Sequence, residues 1–103
     1  MSTLATVAQT GDIPVGKVKV VETPAGRIAI CNVSGTFYAI DDLCTHDGGS
    51  LDQGELVGQE IECPRHGARF DVTTGKPLCL PAVMPVKRYP VKVSGDEIQV
   101  EVG

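Results

Sequence analysis

Short runs of alternating apolar and polar residues recur along the chain, separated by Gly, Pro, Asn and Asp, and none repeats with the period of a helix. The pattern predicts strands at residues 18–21, 27–33, 36–40, 69–72, 89–93 and 97–102. Strands at this spacing are typical of an all-β fold, either an antiparallel β sandwich or a partly open barrel.

Turn signals separate these predicted strands. Thr23-Pro24-Ala25-Gly26 and Ser34-Gly35 each join two neighbouring runs, and Ser94-Gly95-Asp96 does the same near the end of the chain. Thr74-Gly75 marks a further turn after the 69–72 run. The sequence therefore predicts a series of hairpins.

Residues 41–70 depart from this pattern, because they are rich in glycine and in acidic residues. We interpret them as an inserted subdomain of two loops within a single domain, residues 1–103. Its acidic side chains form either a solvated surface or a face that attracts a basic partner. They are Asp41, Asp42, Asp47, Asp52, Glu55, Glu60 and Glu62.

Charge and composition exclude several classes of function. The net charge of −4 argues against nucleic acid as a partner. No apolar stretch approaches the roughly 18 residues that span a bilayer, and the first residues do not resemble a signal peptide. We therefore expect a cytoplasmic protein whose four cysteines are reduced or metal-bound.

Two short motifs contain both histidines and two of the cysteines. They are Cys44-Thr45-His46 and Cys63-Pro64-Arg65-His66, so the pattern is C-x-H-x16-C-x-x-H. Each motif supplies one thiolate and one imidazole, which predicts a metal centre with two kinds of ligand. Zinc accepts two cysteines and two histidines, although its usual sites keep the cysteines in one loop and the histidines in another. A Rieske [2Fe–2S] centre, with two cysteines on one iron and two histidines on the other, suits mixed loops better.

With these motifs, followed by Phe70-Asp71 and Gly75, nearly the whole chain resembles a Rieske-type ferredoxin. The resemblance implies one [2Fe–2S] cluster per chain, carried at the tip of a small subdomain of an all-β fold. It implies that Cys44 and Cys63 bind the buried iron and that His46 and His66 bind the outer iron.

The chain differs from the Rieske proteins of cytochrome bc complexes at four positions. Gly49 and Arg65 stand where those proteins carry disulfide-bonded cysteines, and Ala68 and Phe70 stand where they place hydroxyl groups against the cluster sulfurs. Since hydrogen bonds to sulfur favour the reduced cluster, their absence predicts a low reduction potential.

The resemblance further implies an electron-transfer component of a bacterial aromatic-ring-hydroxylating dioxygenase system rather than an enzyme. A flavin-dependent, NAD(P)H-oxidising reductase would supply electrons, and a terminal Rieske oxygenase would receive them one at a time. We expect a monomer. The alternatives are a small subunit of an assimilatory nitrite reductase and a zinc-holding module.

The remaining cysteines, Cys31 and Cys79, lie among apolar neighbours. We expect both to be small core residues rather than ligands.

Overall fold

β-Strands make up most of the regular structure that a computed structural model describes for residues 3–24, 26–42, 56–62, 69–79 and 86–102. In these ranges the only helix is a single 3-10 turn, Thr10–Asp12, so no helix there could cross a bilayer. The strands are β1 (Thr3–Gln9), β2 (Val18–Thr23), β3 (Gly26–Val33), β4 (Thr36–Asp41), β5 (Leu56–Val57), β6 (Glu60–Glu62), β7 (Arg69–Asp71), β8 (Pro77–Cys79), β9 (Arg88–Tyr89), β10 (Val91–Ser94) and β11 (Glu97–Val102).

These strands form three antiparallel sheets. The terminal sheet has the order β1-β11-β10, the central sheet β2-β3-β4-β9 and the small sheet β5-β6-β7-β8. The all-β, antiparallel prediction is therefore confirmed. The small sheet is inserted between β4 and β9, two neighbouring strands of the central sheet. The bounds 41–70 and the single domain 1–103 stay predictions, since residues 43–55 and 63–68 lie outside the described ranges.

The predicted hairpins form where the turn chemistry indicated them. Ser34 and Gly35 join β3 to β4 with positive φ angles of 52° and 93°, which suits a two-residue turn between twisted strands. At the β2–β3 turn, the Thr23 hydroxyl donates a hydrogen bond of 2.9 Å to the Gly26 carbonyl. Gly95, with φ 60°, lies in the turn between β10 and β11.

The predicted strand at 89–93 is wrong in one respect, because it is two strands. β9 pairs with β4 in the central sheet, whereas β10 pairs with β11 in the terminal sheet. Pro90 separates them, and a proline has no amide hydrogen to continue a ladder. Its carbonyl still accepts a bond of 2.9 Å from the Glu101 amide, so the chain changes sheets at this residue.

The middle of β3 is buried on both faces. Ile28 and Ile30 pack into a cluster with the terminal sheet, whereas Ala29 and Cys31 pack into a second cluster with the small sheet. Successive side chains of a strand point to opposite faces, which explains why a continuous apolar run serves two cores. Cys31 is fully buried and free, which confirms its predicted core role. The side chain of Cys79 lies outside the description, and its role stays a prediction.

The turn after β7 is held by one carboxylate. Asp71 accepts hydrogen bonds from the Thr73 amide (2.9 Å), the Thr73 hydroxyl (2.6 Å) and the Gln59 side-chain amide (2.8 Å). Burial would raise the pKa of this carboxyl, but the bonds from Thr73 and Gln59 outweigh burial and hold the pKa below its usual 3.8. The ionised carboxylate therefore stabilises the fold.

We expect Asp71→Asn to lower the free energy of unfolding at pH 7 by about 1 kcal/mol, since the group is only partly buried and water screens its bonds. A depressed pKa contributes stability above the unfolded value, and that contribution is lost as the pH falls through the folded value. Urea unfolding at pH 7 and at lower pH should therefore show a flatter acid dependence for the variant. Glu97→Gln, at an exposed carboxyl, is the control. An equal loss of stability for Asp71→Asn at every pH would contradict this role.

Candidate metal centre

The predicted ligands Cys44, His46, Cys63 and His66 lie outside the described residues, as do Gly49, Arg65 and Ala68. Within the described ranges, no group of three or more His, Cys, Asp or Glu side chains is placed to hold a metal ion. The strands on either side of the two motifs are described, and they establish where each motif segment begins and ends.

The strand ends that flank the motifs lie along one edge of the small sheet. Leu56 pairs with Ile61, Glu62 pairs with Arg69, and Arg69 pairs with Cys79. The start of β5, the end of β6, the start of β7 and the end of β8 are thus neighbours. We call this edge the motif end of the small sheet.

Both predicted ligand segments are connected to the motif end. Residues 43–55 lead into β5, and residues 63–68 connect β6 to β7. The turns at Gly58 and at Thr74 lie at the opposite edge. Strand pairing therefore places Leu56, which follows the first segment, at the same end of the small sheet as Glu62 and Arg69, which flank the second segment.

A row of buried side chains runs across the small sheet beside the motif end. Leu56, Ile61 and Phe70 are cross-strand neighbours, and Ile61 and Phe70 are wholly buried. They pack with Val72 and Val86 in the cluster that also contains Cys31. Phe70 stands where the Rieske proteins of cytochrome bc complexes place a hydroxyl group. In this chain it is a firmly packed core residue.

An ion pair joins the two strand ends that flank the second motif. Arg69 donates from Nε (3.1 Å) and from Nη2 (3.0 Å) to the same Oε2 atom of Glu62. Both side chains are about half exposed, so the pair contributes at most about 1 kcal/mol. Its role is to fix the base of the 63–68 connection.

The first motif begins from a more tightly held base. The Asp41 amide donates to the Lys87 carbonyl (2.9 Å), and the Tyr89 hydroxyl donates to the Asp41 carboxylate (2.5 Å). Burial and this bond to a carboxylate raise the pKa of Tyr89 to about 12, so the phenol stays protonated. β4 and β9 are thereby joined at the point where the chain leaves the central sheet.

The next residue, Asp42, is a buried carboxylate with 1% of its side chain exposed. Its Oδ2 atom lies 3.4 Å from Nη2 of Arg27, whose side chain is 56% exposed. Burial first, and the negative charge of Asp42 second, raise the pKa of the Cys31 thiol to about 12. Cys31 therefore remains a neutral thiol inside the core.

The acidic stretch is thus only partly a surface feature. Asp41, Asp42 and Glu62 each have a structural partner, and Asp42 is inside the protein. Sequence reasoning missed the ties to Arg27 and Tyr89. The members of the pairs Arg27–Asp42 and Asp41–Tyr89 are 15 and 48 residues apart, and no local sequence pattern predicts such contacts.

The donor chemistry suits a Rieske cluster. Two cysteines and two histidines match a centre with two sulfur ligands on one iron and two nitrogen ligands on the other. Each motif carries one donor of each kind, and the segments that contain the motifs, residues 43–55 and 63–68, each adjoin a strand of the small sheet at its motif end. The residues present therefore fit the group, and the arrangement suits one-electron transfer.

The chain is similar to ferredoxins of known systems. It is 46% identical over 90 residues to the "Naphthalene 1,2-dioxygenase/salicylate 5-hydroxylase systems, ferredoxin component" of Ralstonia sp, covering 87% of this chain and 86% of that protein. The ferredoxin of carbazole 1,9a-dioxygenase from Nocardioides aromaticivorans IC177 superposes with a TM-score of 0.91 at 38% identity, covering 95% of this chain and 96% of that one.

Two further structures are similar to this chain. A chain in a complex of reduced oxygenase and oxidised ferredoxin of carbazole 1,9a-dioxygenase gives a TM-score of 0.90 at 37% identity, covering 94% of this chain and 91% of that one. An NADH-dependent nitrite reductase small subunit from Mycobacterium tuberculosis gives 0.87 at 21% identity, over 100% and 97% of the two chains. The latter likeness extends to the fold alone.

The Rieske [2Fe-2S] domain model matches residues 3–90 of this chain. That match covers the central and small sheets and both cysteine–histidine motifs. The chain therefore belongs to the Rieske [2Fe–2S] domain family, and its cofactor is a Rieske-type [2Fe–2S] cluster.

Proposed function

We propose that this chain is the ferredoxin of an aromatic-ring-hydroxylating dioxygenase system. It takes single electrons from a flavin-dependent, NAD(P)H-oxidising reductase and passes them to a terminal Rieske oxygenase. The chain is an electron-transfer component and not an enzyme. The observation that carries this proposal is the match to dioxygenase ferredoxin components over most of both lengths.

We further propose that Cys44 and Cys63 bind one iron of the cluster and that His46 and His66 bind the other. The mixed cysteine and histidine donors of the two motifs support this set, as does the connection of both segments to the motif end of the small sheet. The cluster supplies a site for one electron, and the protein positions that site at the edge of the fold. The single domain of residues 1–103, with a cluster-binding subdomain at 41–70, is part of the same proposal.

Electron delivery can be tested with purified partners. The holoprotein is mixed anaerobically with NADH and the flavin reductase of a naphthalene 1,2-dioxygenase system, and its absorbance is followed. The terminal oxygenase of that system, naphthalene and air are then added. We expect NADH-dependent bleaching in the first step and, in the second, formation of oxidised naphthalene that requires the holoprotein. Bleaching without this product would contradict the proposed acceptor.

The nitrite reductase alternative makes a different prediction, namely stable association with a sirohaem enzyme. Gel filtration of this chain with such an enzyme should show two separate peaks.

We also propose that the ferredoxin acts as a monomer in the cytoplasm. Light scattering of the holoprotein tests the oligomeric state, and a dimer mass would contradict it.

The proposed function also requires a low reduction potential. We expect a potential near the lower end of the Rieske range, about −150 mV. Ala68→Ser or Phe70→Tyr adds the hydroxyl that high-potential Rieske proteins place at these positions. A hydrogen bond that strengthens by about 1 kcal/mol on reduction raises a one-electron potential by about 40 mV. We therefore expect an upward shift of this order in either variant.

Protein-film voltammetry measures the shift. Phe37→Tyr, which adds the same hydroxyl to the other core cluster, should leave the potential unchanged. Equal shifts in Phe37→Tyr and Phe70→Tyr, or no shift in either Ala68→Ser or Phe70→Tyr, would remove the hydroxyl argument.

A further inference from the structure

Asp42 holds a negative charge inside the protein at the base of the first motif. Its side chain is 1% exposed, and its amide donates a hydrogen bond of 3.1 Å to the Arg27 carbonyl. The carboxylate faces the Arg27 guanidinium at 3.4 Å. β3 therefore holds Asp42 through both its backbone and a side chain.

The Arg27–Asp42 pair is unequal in its exposure to water. The carboxylate is enclosed, whereas more than half of the guanidinium is exposed, at 56%. Water therefore screens the positive member more strongly than the negative one. On the buried side of the pair, the negative electrostatic potential of the carboxylate therefore outweighs the positive potential of the guanidinium.

The charge of Asp42 affects at least one other group in the core. Asp42 adds to the effect of burial in raising the pKa of Cys31, a core residue on β3. Cys44, a proposed cluster ligand, follows Asp42 by two residues. Two residues of chain span at most about 7 Å, so this limit applies to the distance between the Cα atoms of Asp42 and Cys44.

We propose that the buried Asp42 carboxylate, partly offset by Arg27, helps to hold the reduction potential of the cluster low. Reduction adds one negative charge to the cluster, and a fixed negative charge nearby opposes it. The inference rests on the proposed ligand set, because it places the cluster beside Cys44. Asp42 and Arg27 act on the cluster through their charges and positions and need not touch it.

The two members of the pair should shift the potential in opposite directions. Asp42→Asn removes the negative charge in a side chain of equal size. At a fixed applied potential near the wild-type midpoint, we expect its ratio of reduced to oxidised cluster to rise about threefold to tenfold. Arg27→Gln removes the screened positive charge, and we expect its ratio to fall by a smaller factor, about twofold.

Asp12→Asn is the matched control, since it removes the same charge from a pair with Lys19 in which both side chains are 45% exposed. It should leave the ratio unchanged. Spectroelectrochemical titration of the holoproteins gives the ratios. Electron paramagnetic resonance (EPR) spectra of the reduced forms provide a second readout, in which we expect the wild-type line shape.

An unchanged or lowered ratio in Asp42→Asn, or a raised ratio in Arg27→Gln, would overturn the inference. A shift in the same direction for both variants would indicate general disruption rather than charge, and would overturn it too. If Asp42→Asn fails to fold, Arg27→Gln decides alone, since its side chain is largely at the surface. A wild-type protein without a Rieske EPR signal would instead refute the proposed ligand set.

Discussion

Cys44→Ala and Cys63→Ala are each expected to yield protein almost free of iron, whereas Cys31→Ala retains the cluster. Metal ligation requires a thiolate. The Cys31 thiol is enclosed in the core, and burial raises its pKa to about 12, so we expect that it does not replace a missing ligand. The three variants therefore separate two proposed ligands from a structural cysteine.

Iron and acid-labile sulfide per chain, with the visible absorption spectrum, measure the outcome. We expect two irons and two sulfides in the wild type and in Cys31→Ala. The small cavity left by Cys31→Ala should cost about 1 kcal/mol of stability. Cluster content near wild type in Cys44→Ala or Cys63→Ala would refute the assignment of that residue.

Gly75→Ala is expected to destabilise the protein by about 3 kcal/mol or more. Gly75 has a φ angle of +80°, and an added Cβ atom would lie 2.3 Å from the Val86 carbonyl oxygen. The Val86 amide also donates to the Gly75 carbonyl at 2.8 Å, so the two backbones cannot easily separate. Strain and a backbone collision therefore add.

Gly58→Ala is a matched control in the same sheet. Gly58 has a φ angle of +61°, but no atom of the described residues lies within 4 Å of an added Cβ atom. Only the strain remains, and we expect a loss of about 1 kcal/mol. Urea unfolding of both variants gives the difference. Equal losses would show that the approach of Gly75 to Val86 does not matter.

Features set by neighbouring residues were predictable from the sequence. Ser34-Gly35 and Gly95 carry their turn geometry in their own backbone preferences, so the hairpins followed directly. The residue types and spacing of the two cysteine–histidine motifs likewise predicted a metal centre. The strands β5 and β6 were not predictable, because two or three residues show no periodicity. From the sequence alone, these residues are therefore interpreted as loop.

Features set by distant residues were not predictable. Asp42 belongs to an acidic stretch, and nothing beside it indicates burial. Its environment is set by Arg27 on another strand and by the core around Cys31. The change of sheet at Pro90 likewise depends on which strand offers an edge to pair with. The sequence therefore predicts a ligand set for the centre, but it does not predict the charges near that set.

The central claim is that two cysteines and two histidines from the paired motifs hold one [2Fe–2S] cluster. Electron-nuclear double resonance of the dithionite-reduced protein, prepared with ¹⁵N-labelled histidine, tests it most directly. We expect an unpaired-electron signal coupled to two histidine nitrogens, with one coupling lost in His46→Ala or in His66→Ala wherever a cluster remains. A signal coupled to no histidine nitrogen, or no signal from protein that contains metal, would contradict it.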